Sequence, residues 1–292
     1  MADDPLFRKG HLYMPELTIE EKIARVQELR PIDDVFFEVL ARNPEVMQEI
    51  LRVIMEDKEL TVQDVIVQSD ERNIYGRSVR LDALCFLGNG TRINVEVQRS
   101  DNDDHFRRVR FNEASITIRE SQPGSDFRDI PDVYVVYISE FDVVGEGLTI
   151  YHVNKVIAET GQIIDDGTKQ IYVNTAIDDG SDIAELMSCF TKREFVNKKF
   201  PKLSAEVKRL KSTEGGRNSM SKLLEQIENT AEQRGIEKGK SQGIGIGRIR
   251  TLCELVHDGT ISIQDAARRA GISEEKFLEE MESAGFELHY SK

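Results

Sequence analysis

The sequence predicts an α/β domain followed by a small all-helical extension, on three observations. Apolar residues recur at helical spacing before Leu60 and shift to strand-like alternation after it. Val133-Tyr-Val-Val-Tyr-Ile138 is apolar throughout, as in a central strand covered on both faces. From Ile183 onward the pattern is helical, and alternating helices and strands around one buried run define an α/β core.

Each element has a local reason. Thr18-Ile-Glu-Glu21 reads as a capping box opening a helix to Leu29, which Pro31 ends. A second helix runs from Ile32 to Arg42 with Val35, Phe36, Val39 and Leu40 on one face. Asn43-Pro44-Glu45 restarts a third: an N-cap, a proline at the first helical position and an acid favoured by the dipole. Val62–Gln68, Val79–Leu87 and Thr91–Arg99 read as strands, the last two joined by the turn Gly88-Asn89-Gly90. Phe106–Arg119 is expected to be helical, and Leu148–His152 and Gln170–Val173 to be strands. The domain reading is an N-terminal helical arm (1–31), a core (32–200), a basic helix with a glycine-repeat linker (201–247) and a helical tail (248–292).

Gly235, Gly239, Gly243 and Gly247 recur every four residues, which suits either a flexible linker or a close helix–helix seam, and hence a homodimer through the C-terminal helices. They do not space as a dinucleotide fingerprint. In the tail, Ser262 and Ser273 are candidate N-caps and Gly271 a C-cap, the layout of a helix-turn-helix. Its second helix, Glu274–Glu280, is acidic where a DNA-reading helix needs donors, so packing or oligomerisation suits it better.

Composition narrows the class. No apolar run can span a bilayer, and MADDPLFRKG lacks the basic and apolar regions of a signal peptide. Three scattered cysteines without a CxxC pair fit a reducing cytoplasm and exclude a cysteine-built zinc site. The net charge of -14 argues against a broadly basic nucleic-acid binder. Locally the sign reverses: Lys192, Arg193, Lys198, Lys199, Lys202, Lys208, Arg209 and Lys211 face only Glu194 and Glu206, and His105-Phe-Arg-Arg-Val-Arg110 is a second basic knot. These are either solvated helix faces or phosphate-tracking strips.

The hairpin carries the chemistry. Val79, Leu81, Ala83, Cys85 and Leu87, then Ile93, Val95 and Val97, form an apolar face, so Arg80, Asp82, Asn94, Glu96 and Gln98 share the other. A three-residue loop pairs Leu87 with Thr91, and counting outward sets Asp82 opposite Glu96 and Arg80 opposite Gln98. Two facing carboxylates call for a proton or a cation. Magnesium commonly takes one or two protein carboxylates plus substrate phosphate. Arg80 alone could also neutralise either acid.

Arg80-Leu-Asp-Ala-Leu, the glycine turn and Asn94-Val-Glu-Val-Gln98 together resemble the core motif of the PD-(D/E)XK nucleases, in the form found in the Rpn family of recombination-promoting nucleases and transposases. Ile32-Asp-Asp-Val-Phe-Phe, Phe106-Arg-Arg-Val-Arg-Phe, Ile150-Tyr-His-Val-Asn, Asp165-Asp-Gly and Ile171-Tyr-Val-Asn174 extend the resemblance over nearly the whole chain. It implies a restriction-endonuclease-like core, a mixed sheet flanked by helices, and metal-dependent cleavage of DNA with Mg2+, or Mn2+ in its place. Asp82 and Glu96 match the motif's metal-binding acids, with the Val97 carbonyl as a further ligand. Gln98 stands where most of the superfamily has lysine; it can orient water but brings no charge. Arg80 or Arg99 would then supply the missing charge, and Asp34, or less favourably Glu38, an additional acid. Arg107, Arg108 and Arg110 are candidate phosphate contacts, Arg108 alternatively pairing with a nearby aspartate. His152 has no second histidine at ligand spacing. The expected activity is a metal-dependent DNA endonuclease associated with recombination or mobile elements; a catalytically inactive scaffold serving as an interaction module is the alternative, favoured by the missing lysine and the acidic charge.

Overall fold

The computed structural model describes residues 18–71, 79–102, 104–121, 123–124, 126–220 and 245–286. The chain divides into two compact units, residues 1–224 and 225–292. Gly235, Gly239 and Gly243 of the glycine repeat lie outside the described residues.

The first unit opens with α1 (Ile19–Glu28), α2 (Asp34–Ala41) and α3 (Pro44–Ile54). The caps are those the sequence specifies. Thr18 and Glu21 exchange the two hydrogen bonds of a capping box, and Asn43 Oδ1 accepts from Glu45 N ahead of Pro44. Strands β1 (Val62–Glu71), β2 (Val79–Leu87) and β3 (Arg92–Gln98) follow, then α4 (His105–Glu120) and β4 (Val133–Ser139). β5 (Ile150–Val153) and β8 (Thr168–Asn174) complete a six-stranded mixed sheet of order β1-β2-β3-β4-β8-β5. Its centre, β3-β4-β8, is parallel; both flanks are antiparallel. Between β5 and β8, β6 (Lys155–Val156) and β7 (Ile163–Ile164) form a separate ribbon that the sequence pattern does not reveal.

Both faces of the sheet are covered. On one, Ala83, Cys85, Ile93 and Val95 are fully buried beneath α2, and α3 packs on β1. On the other, α4 lies over β4 and β2, setting Val109 against Val135 and Tyr137, and Ile116 against Leu84 and Val133. The polar face of the hairpin is therefore roofed, and Asn94 and Glu96 are interior residues.

α5 (Asp182–Phe190) and α6 (Pro201–Ser212) belong to the same unit, α6 packing on α3 and α2. α1 is joined to it through Lys211, whose buried ammonium donates to the carbonyls of Gln27 (2.8 Å) and Leu29 (2.7 Å) beside the Phe36 ring. The basic segment 192–211 is partly paired with acids of its own unit. Arg193 pairs with Glu28, Lys199 with Asp182 and Glu185, Lys202 with Glu45, and Arg209 with Glu206. The carboxylates that neutralise the segment come mostly from distant positions, so the local charge count overstated its free charge.

The second unit contains a helix at 245–257, α7 (Ile263–Ala270) and α8 (Glu274–Ser283) around Leu252, Cys253, Ala266, Ala267, Phe277 and Met281. Ser262 and Ser273 cap the two later helices, and Gly271 takes the left-handed conformation (φ 76°) that ends α7.

Candidate active site

The site forms where β2 and β3 part. Their ladder holds Phe86 against Arg92 through Ala83 against Val95, the register a three-residue loop dictates. The next positions outward are Asp82 and Glu96, and there side chains replace the backbone ladder. Asp82 N donates to Glu96 Oε1 (3.3 Å), and Val97 N donates to Asp82 Oδ2 (3.1 Å). Even-numbered residues of β3 turn their backbone groups to β4, as Arg92 N to Asp132 O and Glu140 N to Gln98 O show. Val97 therefore turns its N–H and C=O toward β2, to the side where Asp82 stands. Asp82 Oδ1 and Glu96 Oε2 have no hydrogen bond among the described residues.

Burial sets the electrostatics. Glu96 is 6% exposed. Loss of solvent pushes its carboxyl well above the usual range, the Asp82 charge adds to this, and Asn94, Asp82 N–H and Arg108 oppose it. Burial likewise raises Asp82 to about 7, with the Val97 N–H, Arg108 and Arg80 lowering it and Asp34 raising it. Two such carboxyls hold a proton near neutrality unless a cation displaces it.

Asp34 opens α2 at the rim of the site. It is solvent-exposed, yet crowding by protein atoms still raises its carboxyl, with Asp33 adding repulsion and Arg99 and Arg108 opposing. Glu38, one turn on, is buried: Arg42 binds Oε1 at 2.8 Å and Oε2 has no partner. Gln98 donates from Nε2 to Ser100 O at 2.7 Å, which leaves its Oε1 as an acceptor.

The arginines separate into three groups. Arg108 acts on Asp34, Asp82 and Glu96 together, and its contact with Asp104 is long, 3.4 Å to each oxygen. Arg99 is engaged elsewhere, bridging Asp33 (2.7 Å) and Glu140 (3.3 Å), both also bound by Arg30. Arg80 is exposed and lowers both Asp82 and Glu38. Arg107 and Arg110 point outward from α4.

Sequence reasoning missed His105 as anything but part of a basic knot. It is buried, with Nδ1 2.8 Å from the Tyr137 hydroxyl and Nε2 2.9 Å from Asp101 Oδ1, and Tyr137 is the register partner of Glu96 on β4. Only the Asp101/His105 spacing of four, one helical turn, hinted at it. His152 is exposed on β5.

No group of three or more His, Cys, Asp or Glu side chains placed to hold a metal ion occurs among the described residues. The donor set that is present, two facing carboxylates and a main-chain carbonyl, suits a hard cation that draws its remaining ligands from water and substrate.

A sequence model described as PD-(D/E)XK nuclease family transposase matches residues 32–177, half the chain, from the approach to α2 to just beyond β8. No curated protein and no solved structure matches.

Proposed function

The chain belongs to the PD-(D/E)XK nuclease family transposases, and from that premise we propose that it is a metal-dependent DNA endonuclease acting in recombination or element mobility. The observation that carries this reading is the facing pair at the parted ends of β2 and β3, Glu96 buried and Asp82 half-buried. A polar pair kept in a packed interior at the expense of stability signals a ligand.

Asp82 Oδ1, Glu96 Oε2 and the Val97 carbonyl would hold Mg2+, or Mn2+ in its place. A bound divalent cation supplies Lewis-acid activation of the scissile phosphate and of water. Gln98 Oε1 would accept a hydrogen bond from the attacking water and so orient it. Arg108 takes the part of the family's lysine by placing positive charge where the phosphate becomes more negative. Arg80, Arg107 and Arg110 are exposed to contact the flanking phosphates, whereas Arg99 steadies the start of α2 through Asp33. Of the two additional acids, Asp34 is the one whose charge acts on Asp82.

No helix of the described residues is long and apolar enough to cross a membrane. Three free, buried cysteines support a reducing, cytoplasmic setting. We assign the C-terminal helical unit to self-association.

A second reading, an inactive scaffold, is favoured by the absence of a three-residue metal cluster among the described residues. Supercoiled plasmid incubated with purified protein and Mg2+, Mn2+ or EDTA separates the two. Cutting that requires metal and disappears in Asp82→Ala and Glu96→Ala is expected. Absence of cutting by wild type, together with absence of metal binding, would establish the scaffold.

A further inference from the structure

We propose that Asn94 is a positioning residue that fixes the Glu96 carboxylate for its ligand, an inference that rests on the metal-site reading above. Asn94 lies two residues before Glu96 on β3, so the two share a face. It is fully buried, and its Nδ2 donates to Glu96 Oε1 at 2.7 Å. The same oxygen accepts from Asp82 N. Two donors on one oxygen lock the carboxylate in a single rotation and leave Oε2 as its free end.

Nothing about packing asks for asparagine here. It is disfavoured in strands, and its own Oδ1 is buried without a partner. The face of α4 above it repeats the pattern. Asn112, between Val109 and Ile116, is buried with both amide atoms unpaired, and one turn earlier Arg108 Nε is buried and unpaired. Val109 packs on Val135, the register partner of Asn94, so α4 and the strands meet over this strip. An interior that needed only stability would be apolar at these positions. Of these polar groups, Asn94 is the one that donates a hydrogen bond to the acid.

Asn94→Leu tests the assignment, because it keeps the branched shape and heavy-atom count and removes both the Glu96 hydrogen bond and an unpaired buried acceptor. Mn2+ binding is measured by calorimetry on the full chain, and folding by thermal melting in EDTA. The expected result is Mn2+ affinity weakened about 10–100-fold with a melting temperature equal to or above that of wild type, since a purely structural asparagine gives no reason for those two readouts to move apart. Asn94→Ser, whose hydroxyl is too short to reach Glu96, serves the same comparison if the leucine variant does not fold. Wild-type affinity in the folded variant overturns the assignment of Asn94 while leaving the metal site intact. Absence of Mn2+ binding by wild type overturns the metal-site reading and this inference with it.

Discussion

Replacing Asp82 by asparagine removes the half-buried carboxyl that faces Glu96 while keeping an acceptor for the Val97 N–H. The folded protein raises the Asp82 carboxyl from 3.8 to about 7, chiefly by burial, with Asp34 adding repulsion. The native state thus binds this proton more tightly than the unfolded chain does. Stability falls as pH climbs from about 4 to about 7, and the full loss persists above that. At about 1.36 kcal/mol for each tenfold change in proton affinity, the loss reaches up to about 4 kcal/mol. For a unit of this size each kcal/mol moves the melting temperature by roughly 2–4 °C. In EDTA at pH 8.5, Asp82→Asn should therefore melt about 10 °C above wild type, and at pH 5 the offset should shrink to roughly 4 °C. Scanning calorimetry or dye-monitored melting at both pH values decides the matter. An offset that is the same at both, or a variant less stable than wild type at pH 8.5, would refute the claim that the carboxyl is held in an unfavourable, protonated interior.

Three more outcomes follow from the same geometry. Because a cation must displace the proton held by the carboxyl pair, apparent Mn2+ affinity should rise about tenfold per pH unit as pH approaches 7 from below, measured by calorimetry in buffers of different ionisation enthalpy. Arg108→Gln removes the positive charge common to Asp34, Asp82 and Glu96, and should lower the single-turnover cleavage rate about 100-fold with a smaller change in DNA affinity. Lys211→Met leaves the Gln27 and Leu29 carbonyls without their donor and should cost about 2–3 kcal/mol, read from urea unfolding.

The acid pair was legible because strand alternation and a glycine turn together fix register. Once Gly88–Gly90 is a three-residue loop, Asp82 and Glu96 are forced to the same level. Capping boxes and N-caps were legible for the same reason: Thr18, Asn43, Ser262 and Ser273 act within three residues of themselves. What escaped the sequence depends on partners far away in the chain. The roof formed by α4 was hidden because that helix carries apolar residues outward, with Phe106, Phe111 and Ile118 exposed, while His105 and Asn112 are buried. The His105–Tyr137 bond joins residues 32 apart. The pairing of the basic segment was hidden because Glu28, Glu45 and Asp182, which pair with Arg193, Lys202 and Lys199, belong to other helices. Arg99 suffered the same fate: beside the motif it resembled a catalytic cation, yet folding hands it to Asp33 and Glu140.

Diffraction at the manganese absorption edge from crystals soaked in Mn2+ tests the central claim most directly. An anomalous peak is expected at coordination distance from the carboxylates of Asp82 and Glu96 and the Val97 carbonyl, lost in Glu96→Gln. Metal bound elsewhere, or metal-dependent cleavage that survives Glu96→Gln with this position empty, would contradict it.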